Sequence, residues 1–137
     1  MINCYLHSEI KVGGVWHHYS TSSLKTDLDL FEKMGWDGDD SSSPIAIAKP
    51  KGLPQDISVV TKIDWDIWIN DACCQSWFND SEISKVARWY DNRLVVKKRS
   101  LREQVGYLFG NSFELFTEFS TDYPTEIEDI RWVFWFA

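Results

Sequence analysis

No run in this chain approaches the roughly 18–20 consecutive apolar residues that a membrane-spanning helix requires. The first ten residues, MINCYLHSEI, have neither a basic region nor an apolar stretch, so they do not read as a signal peptide. Cysteine is scarce: Cys4, Cys73 and Cys74 make an odd count of three with two adjacent. That excludes a disulfide framework and fits a reducing compartment such as the cytoplasm. Basic charge is also short. Fourteen Lys and Arg stand against 21 Asp and Glu, giving a net charge of -7 and a pI of about 4.8. Such a balance favours solubility and argues against direct binding to nucleic acid or to an anionic membrane. P-loop, dinucleotide-binding, Gly-x-Ser-x-Gly and HExxH patterns are all missing, so no cofactor is expected and catalysis is not the leading reading.

What is present is aromatic surface. Aromatics make up 15% of 137 residues, with eight tryptophans. The length suits a single domain spanning residues 1–137. Charge is segregated along it. Residues 1–84 carry 13 acids and 6 bases, residues 85–102 seven bases and one acid, and residues 103–137 seven acids and one base.

The N-terminal stretch CYLHSEIKVGGVWHHYS predicts a β-hairpin about Gly13-Gly14. Pairing across that turn sets Val12 opposite Val15 and Glu9 opposite His18. Leu6, Ser8, Ile10 and Val12 then share the face expected to pack, with Val15, His17 and Tyr19. His7, Glu9 and His18 share the other. Leu24, Leu28, Leu30 and Phe31 predict a helix over about 24–34, capped by Ser22 or Ser23 and stopped by Gly35. Residues 35–56 hold three of the four prolines and read as a long exposed loop, with a turn at Gly52. The stretch ISVVTKIDWDIWI alternates β-branched and aromatic residues with polar ones, predicting a strand over roughly 57–69. Asn79 and Glu82 form a capping-box pair opening a helix at about 80–91, with Ile83, Val86, Ala87 and Tyr90 inward. A further helical region is expected at about 100–119. The closing stretch at about 128–136 places Ile130, Trp132, Phe134 and Phe136 on one face and Val133 and Trp135 on the other. It predicts a strand interior to a sheet covered on both sides. The fold class is therefore α+β: a largely antiparallel sheet of hairpin, central strand and C-terminal strand, packed by two or three helices.

Four stretches in this order, LDLFEKM, PIAIAKPKGLPQDIS, QSWFNDSEI and IEDIRWVFWFA, resemble elements of a widespread family of small proteins encoded by phages and prophages. The resemblance implies a phage setting and brings no catalytic residues with it. Cys73, Cys74 and Gln75 stand where a histidine would precede the Ser-Trp pair, Lys51 replaces an arginine before Gly-Leu-Pro, and Ala137 replaces an aspartate.

Several residues are candidates for chemistry. His7, Glu9 and His18 form a facial set of two imidazoles and a carboxylate suited to a metal ion; the plainer reading is surface histidines beside a glutamate. Asp37, Asp39 and Asp40 concentrate charge in a loop that lacks the calcium-binding pattern. They fit an acidic contact surface for a basic partner, with Trp36 as the tryptophan expected to be exposed. Cys73-Cys74 near Asp71 suggests a nucleophile with His17 or His18 as base, or inert packing. The basic island of Arg88, Arg93, Lys97, Lys98, Arg99 and Arg102 could hold phosphate, or simply complement a helix end. Three functions follow. The leading one is a phage accessory protein that binds and inhibits a host protein, such as a nucleic-acid-binding defence component, in the manner of an anti-CRISPR inhibitor. The alternatives are a small metal-dependent enzyme built on His7, Glu9 and His18, and a small-ligand or nucleotide-binding module using a tryptophan and the basic island with Lys98 and Arg99.

Overall fold

The computed structural model describes residues 2–36, 45–95 and 127–137. Among these residues four strands form one antiparallel sheet: β1 (Cys4–Val12), β2 (Val15–Leu24), β3 (Cys73–Asn79) and β4 (Asp129–Phe136), in the order β2-β1-β4-β3. The α+β class is as expected. The hairpin register is also as read, with Val12 facing Val15, Ile10 facing His17 and Glu9 facing His18. Beyond that point a bulge at Tyr19 shifts the pairing, so that Ser8 faces Ser20 and His7 faces Thr21.

The C-terminal strand β4 lies between β1 and β3, and every residue from Ile130 to Phe136 is buried. Its two-sided apolar sequence is accounted for by layers on both sides of the sheet. On one side Ile130, Trp132, Phe134 and Phe136 join Leu6, Ile10 and the helices α1 (Leu28–Met34) and α3 (Asp80–Val95), through Leu30, Phe31, Met34, Ile83, Val86 and Tyr90. On the other, Val133 and Trp135 pack against Trp65 of α2 (Val59–Trp68), with Tyr5, Trp68 and Trp77 around them. Trp65 meets Trp135 edge-on at a ring separation of 5.2 Å, and Tyr5 stacks on Trp68 at 4.3 Å.

The capping box is formed as predicted: the Asn79 N–H donates to Glu82 Oε1 at 3.0 Å, and the Glu82 N–H donates to Asn79 Oδ1 at 2.9 Å. Gly35 ends α1 with φ 121°, a conformation that calls for glycine; a Cβ there would meet the Pro50 ring in ordinary contact at 3.4 Å.

Three expectations are corrected. Residues 57–69 form helix α2 in place of a strand. Ser58 caps it, accepting from the Thr61 N–H, and Thr61 and Trp65, one turn apart, are buried. The alternation of Val59, Thr61, Ile63, Trp65 and Ile67 arises because this helix is apolar on its outer as well as its inner face. The strand that completes the sheet among the described residues is β3, in a stretch to which the sequence reading assigned no element. It is short and irregular, with a pairing shift between Cys73 and Ser76 and a positive φ at Cys74. Helix α1 begins later than predicted, because β2 continues through Leu24 and Asp27 supplies the cap, accepting from the Leu30 N–H at 3.2 Å. The helical region expected near 100–119 lies outside the described residues.

The described part of the 35–56 loop is fastened to the body. The Lys51 N–H donates to Ser76 Oγ at 3.0 Å, its ammonium lies 3.9 Å over the Trp77 ring and pairs with Glu82, and Gly52 N–H donates to the Gln75 carbonyl. Asp56, at the end of this segment, also reaches Arg131 on β4.

Candidate functional site

Strand β1 is an inner strand, so its second face, expected to be the more open one, is covered by α2. His7 is 1% and Glu9 0% exposed. Polar groups at such depth must find partners, and they do so in two adjoining clusters.

The first cluster surrounds Glu9. Its Oε1 accepts from Arg131 Nε at 2.8 Å and from the Arg131 Nη2 at 2.7 Å. Its Oε2 accepts from the Ser58 N–H at 3.1 Å and the Thr61 hydroxyl at 2.7 Å, at the first turn of α2. A carboxylate there is favoured by the helix N-terminal partial charge. Arg131 also donates to Asp56 Oδ1 at 2.8 Å and to the Asp56 carbonyl at 3.0 Å, and its guanidinium lies 4.0 Å over the Trp16 ring. The guanidinium hydrogen bond holds the exposed Asp56 carboxyl below its ordinary pKa.

The second cluster surrounds His7. Its Nε2 lies 2.7 Å from Asp64 Oδ2, and its ring stacks on Trp135 at 5.2 Å. Its Nδ1 lies 3.1 Å from His18 Nε2 and 3.1 Å from Thr21 Oγ1, and His18 Nε2 is 3.0 Å from that same hydroxyl. Burial pushes the His7 pKa down against the opposing pull of Asp64; burial and then the neighbouring His7 push His18 down too. With both rings neutral, the His7 Nε2–H donates to Asp64 and Nδ1 is left as an acceptor. Trp135, fully buried beneath this ring, has an indole N–H that meets no acceptor among the described residues.

The strand bulge explains why His18 and Thr21 converge. They are three residues apart, and in a regular strand an odd separation sends side chains to opposite faces. The unpaired Tyr19 restores both to the face of His7.

The histidines His7 and His18 therefore meet as the sequence suggested, but Glu9 is turned to Arg131 and does not join them. No group of three or more His, Cys, Asp or Glu among the described residues is arranged to hold an ion. Trp36, expected to be exposed, is half-buried, set at right angles to Phe31 at 6.2 Å and against Phe136 at 6.3 Å. Asp37, Asp39, Asp40, Lys98 and Arg99 lie outside the described residues. Cys73 and Cys74 occupy one edge of the sheet and His17 and His18 the other, so the proposed thiol–imidazole pair is not formed. Sequence reasoning missed Arg131, Asp56, Asp64 and Thr21.

One further surface stands out. The outer face of α2 carries Val59, Val60, Ile63 and Ile67 at 75, 50, 60 and 68% exposure. The Lys62–Asp66 ion pair flanks this stripe one turn apart. Compared with protein-family models, curated proteins and solved structures, the chain matches none, so the functional reading rests on this geometry. Among the described residues no helix is long and apolar enough to cross a membrane.

Proposed function

We propose that this chain acts by binding another protein through the outer face of α2, without making or breaking bonds. The observation that carries the reading is the stripe of Val59, Val60, Ile63 and Ile67, four branched apolar side chains on one solvent-facing helix surface. Contiguous apolar surface of this kind marks interaction sites, and an apolar helix face laid into a partner's groove is a recurring recognition mode. In the phage setting that the sequence resemblance suggests, the partner is a host protein. Inhibition of a bacterial defence component, a nucleic-acid-binding one included, is the form the proposal takes. The net charge of -7 suits a basic partner, since carboxylates can stand where phosphates would bind.

Covering four half-exposed Val and Ile side chains contributes about 1–2 kcal/mol each. Association costs an estimated 4–15 kcal/mol, so the stripe would anchor a wider contact that includes the Lys62–Asp66 rim. The test is capture from a bacterial lysate by the wild-type chain and by Ile63→Asp/Ile67→Asp. A partner held by the first and lost from the second supports the reading. Equal capture by both overturns it, as does light scattering that shows a wild-type dimer dissolved by the same variant, since a second copy would then be the occupant. Binding through the stripe persists at about 0.5 M salt, where exposed charge pairs are largely screened; binding that vanishes there would assign the contact to the acidic surface.

A further inference from the structure

His7 Nδ1, His18 Nε2 and Thr21 Oγ1 form a nearly equilateral triangle with edges of 3.1, 3.0 and 3.1 Å. Metal ligands about 2.0 Å from a tetrahedral ion lie roughly 3.3 Å apart. The triangle is thus within ~0.3 Å of the ligand face of a tetrahedral site, while a single hydrogen-bonded pair would need only one of the three edges to be short. The arms come from paired strands whose geometry is fixed by the sheet. His7 and Thr21 face each other in register, and the bulge at Tyr19 delivers His18 to the same spot.

The surroundings match what a metal-ligating histidine usually has. The far nitrogen of His7 is held by Asp64 at 2.7 Å, the carboxylate–histidine arrangement that fixes the tautomer and raises ligand basicity. Its ring is pinned against Trp135. Thr21 is exposed, so the fourth position opens to solvent.

We infer that His7, His18 and Thr21 are the ligands of a divalent transition-metal site, with Asp64 of α2 as the outer partner of His7. Imidazole nitrogens with one oxygen suit zinc, copper or nickel. Two histidines and a neutral hydroxyl make an open, exchangeable site, with room for water or for a ligand atom from a partner.

Isothermal titration of the chelator-stripped full chain with zinc chloride tests this. The expected result is one zinc per chain, with affinity falling at least tenfold in His18→Ala, by a smaller factor in Thr21→Val, and by about 10- to 100-fold in Asp64→Asn, the usual range for outer-shell partners. His17→Ala, an exposed histidine next door on the opposite strand face, leaves binding unchanged. Cobalt(II) gives a second readout, the visible bands of tetrahedral coordination, lost in His18→Ala. The inference fails if wild-type zinc binding is no tighter than that of His18→Ala. It also fails if binding follows His17→Ala, or follows Cys73→Ser/Cys74→Ser in place of His18→Ala.

Discussion

Arg131→Met tests the central electrostatic claim, that the Glu9–Arg131 pair joins the sheet to the first turn of α2. The side chains are 0% and 4% exposed, so removing the guanidinium strands a buried carboxylate. Breaking a buried pair from one side costs about 3–5 kcal/mol. Here Glu9 keeps the Ser58 N–H, the Thr61 hydroxyl and the helix N-terminus, which places the cost near the lower end, about 3 kcal/mol. Against a total stability of about 5–15 kcal/mol, the variant still folds. At roughly 3 °C per kcal/mol for a chain of this size, its Tm falls by about 10 °C.

The assay is urea and thermal unfolding followed by tryptophan fluorescence, with Asp56→Asn, Glu9→Leu and Glu9→Leu/Arg131→Met alongside. Asp56 carries the other ion pair to Arg131 but is 67% exposed, and exposed pairs contribute up to about 1 kcal/mol. The double variant removes both buried charges and should recover at least about 1 kcal/mol over the sum of the singles, leaving the loss from the unpaired Ser58 and Thr61 donors. A cost below about 1 kcal/mol for Arg131→Met would refute the reasoning. So would an equal cost for Asp56→Asn, because burial would then not be what distinguishes the two carboxylates.

Two further outcomes follow from the same structure. Deleting residues 133–137 removes Val133, Phe134, Trp135 and Phe136, all fully buried; at about 2–3 kcal/mol each the loss matches the whole stability, and circular dichroism should show no cooperative unfolding transition. The second concerns acid. Arg131 lowers the Asp56 pKa in the folded state, so this group stabilises the fold above its ordinary value of 3.8 and the contribution is lost as pH falls through the folded value; unfolding curves of wild type and Asp56→Asn should differ at pH 7 and converge below pH 3.8.

Local signals were legible in the sequence and distant ones were not. The hairpin register follows from Gly13-Gly14 and the flanking β-formers, and the α3 cap from a side-chain pair three residues apart. The C-terminal strand was readable because apolar residues on both faces leave few alternatives. The roles of His7 and Glu9 were not readable. Their shared face follows from alternation, but their partners Asp64 and Arg131 lie 57 and 122 positions away, and it is these that send the two side chains to different tasks. Thr21 was hidden by a bulge that no sequence periodicity marks. Strand β3 was missed because CCQSWFN is short, has a break after Cys73 and, among the described residues, pairs on one side only. The Ser58 cap and the Lys62–Asp66 spacing were the available signs that 57–69 is helical.

The misreading of α2 and its proposed role have one cause. For the fold, this helix needs only its inner residues: Thr61 and Trp65 are buried and Trp68 packs beside them. A helix facing water on its other side ordinarily carries polar residues there, and Glu, Lys or Gln would also raise helix propensity by a few tenths of a kcal/mol over the β-branched residues present. Val59, Val60, Ile63 and Ile67 therefore work slightly against the helix that displays them, and fold stability does not account for them. Replacing Ile63 and Ile67 by Glu should accordingly leave unfolding free energy within about 0.5 kcal/mol of wild type, or raise it. If instead the double variant loses 2 kcal/mol or more, a margin that surface substitutions rarely reach, the stripe is packed against the chain itself, and the docking role assigned to it is wrong.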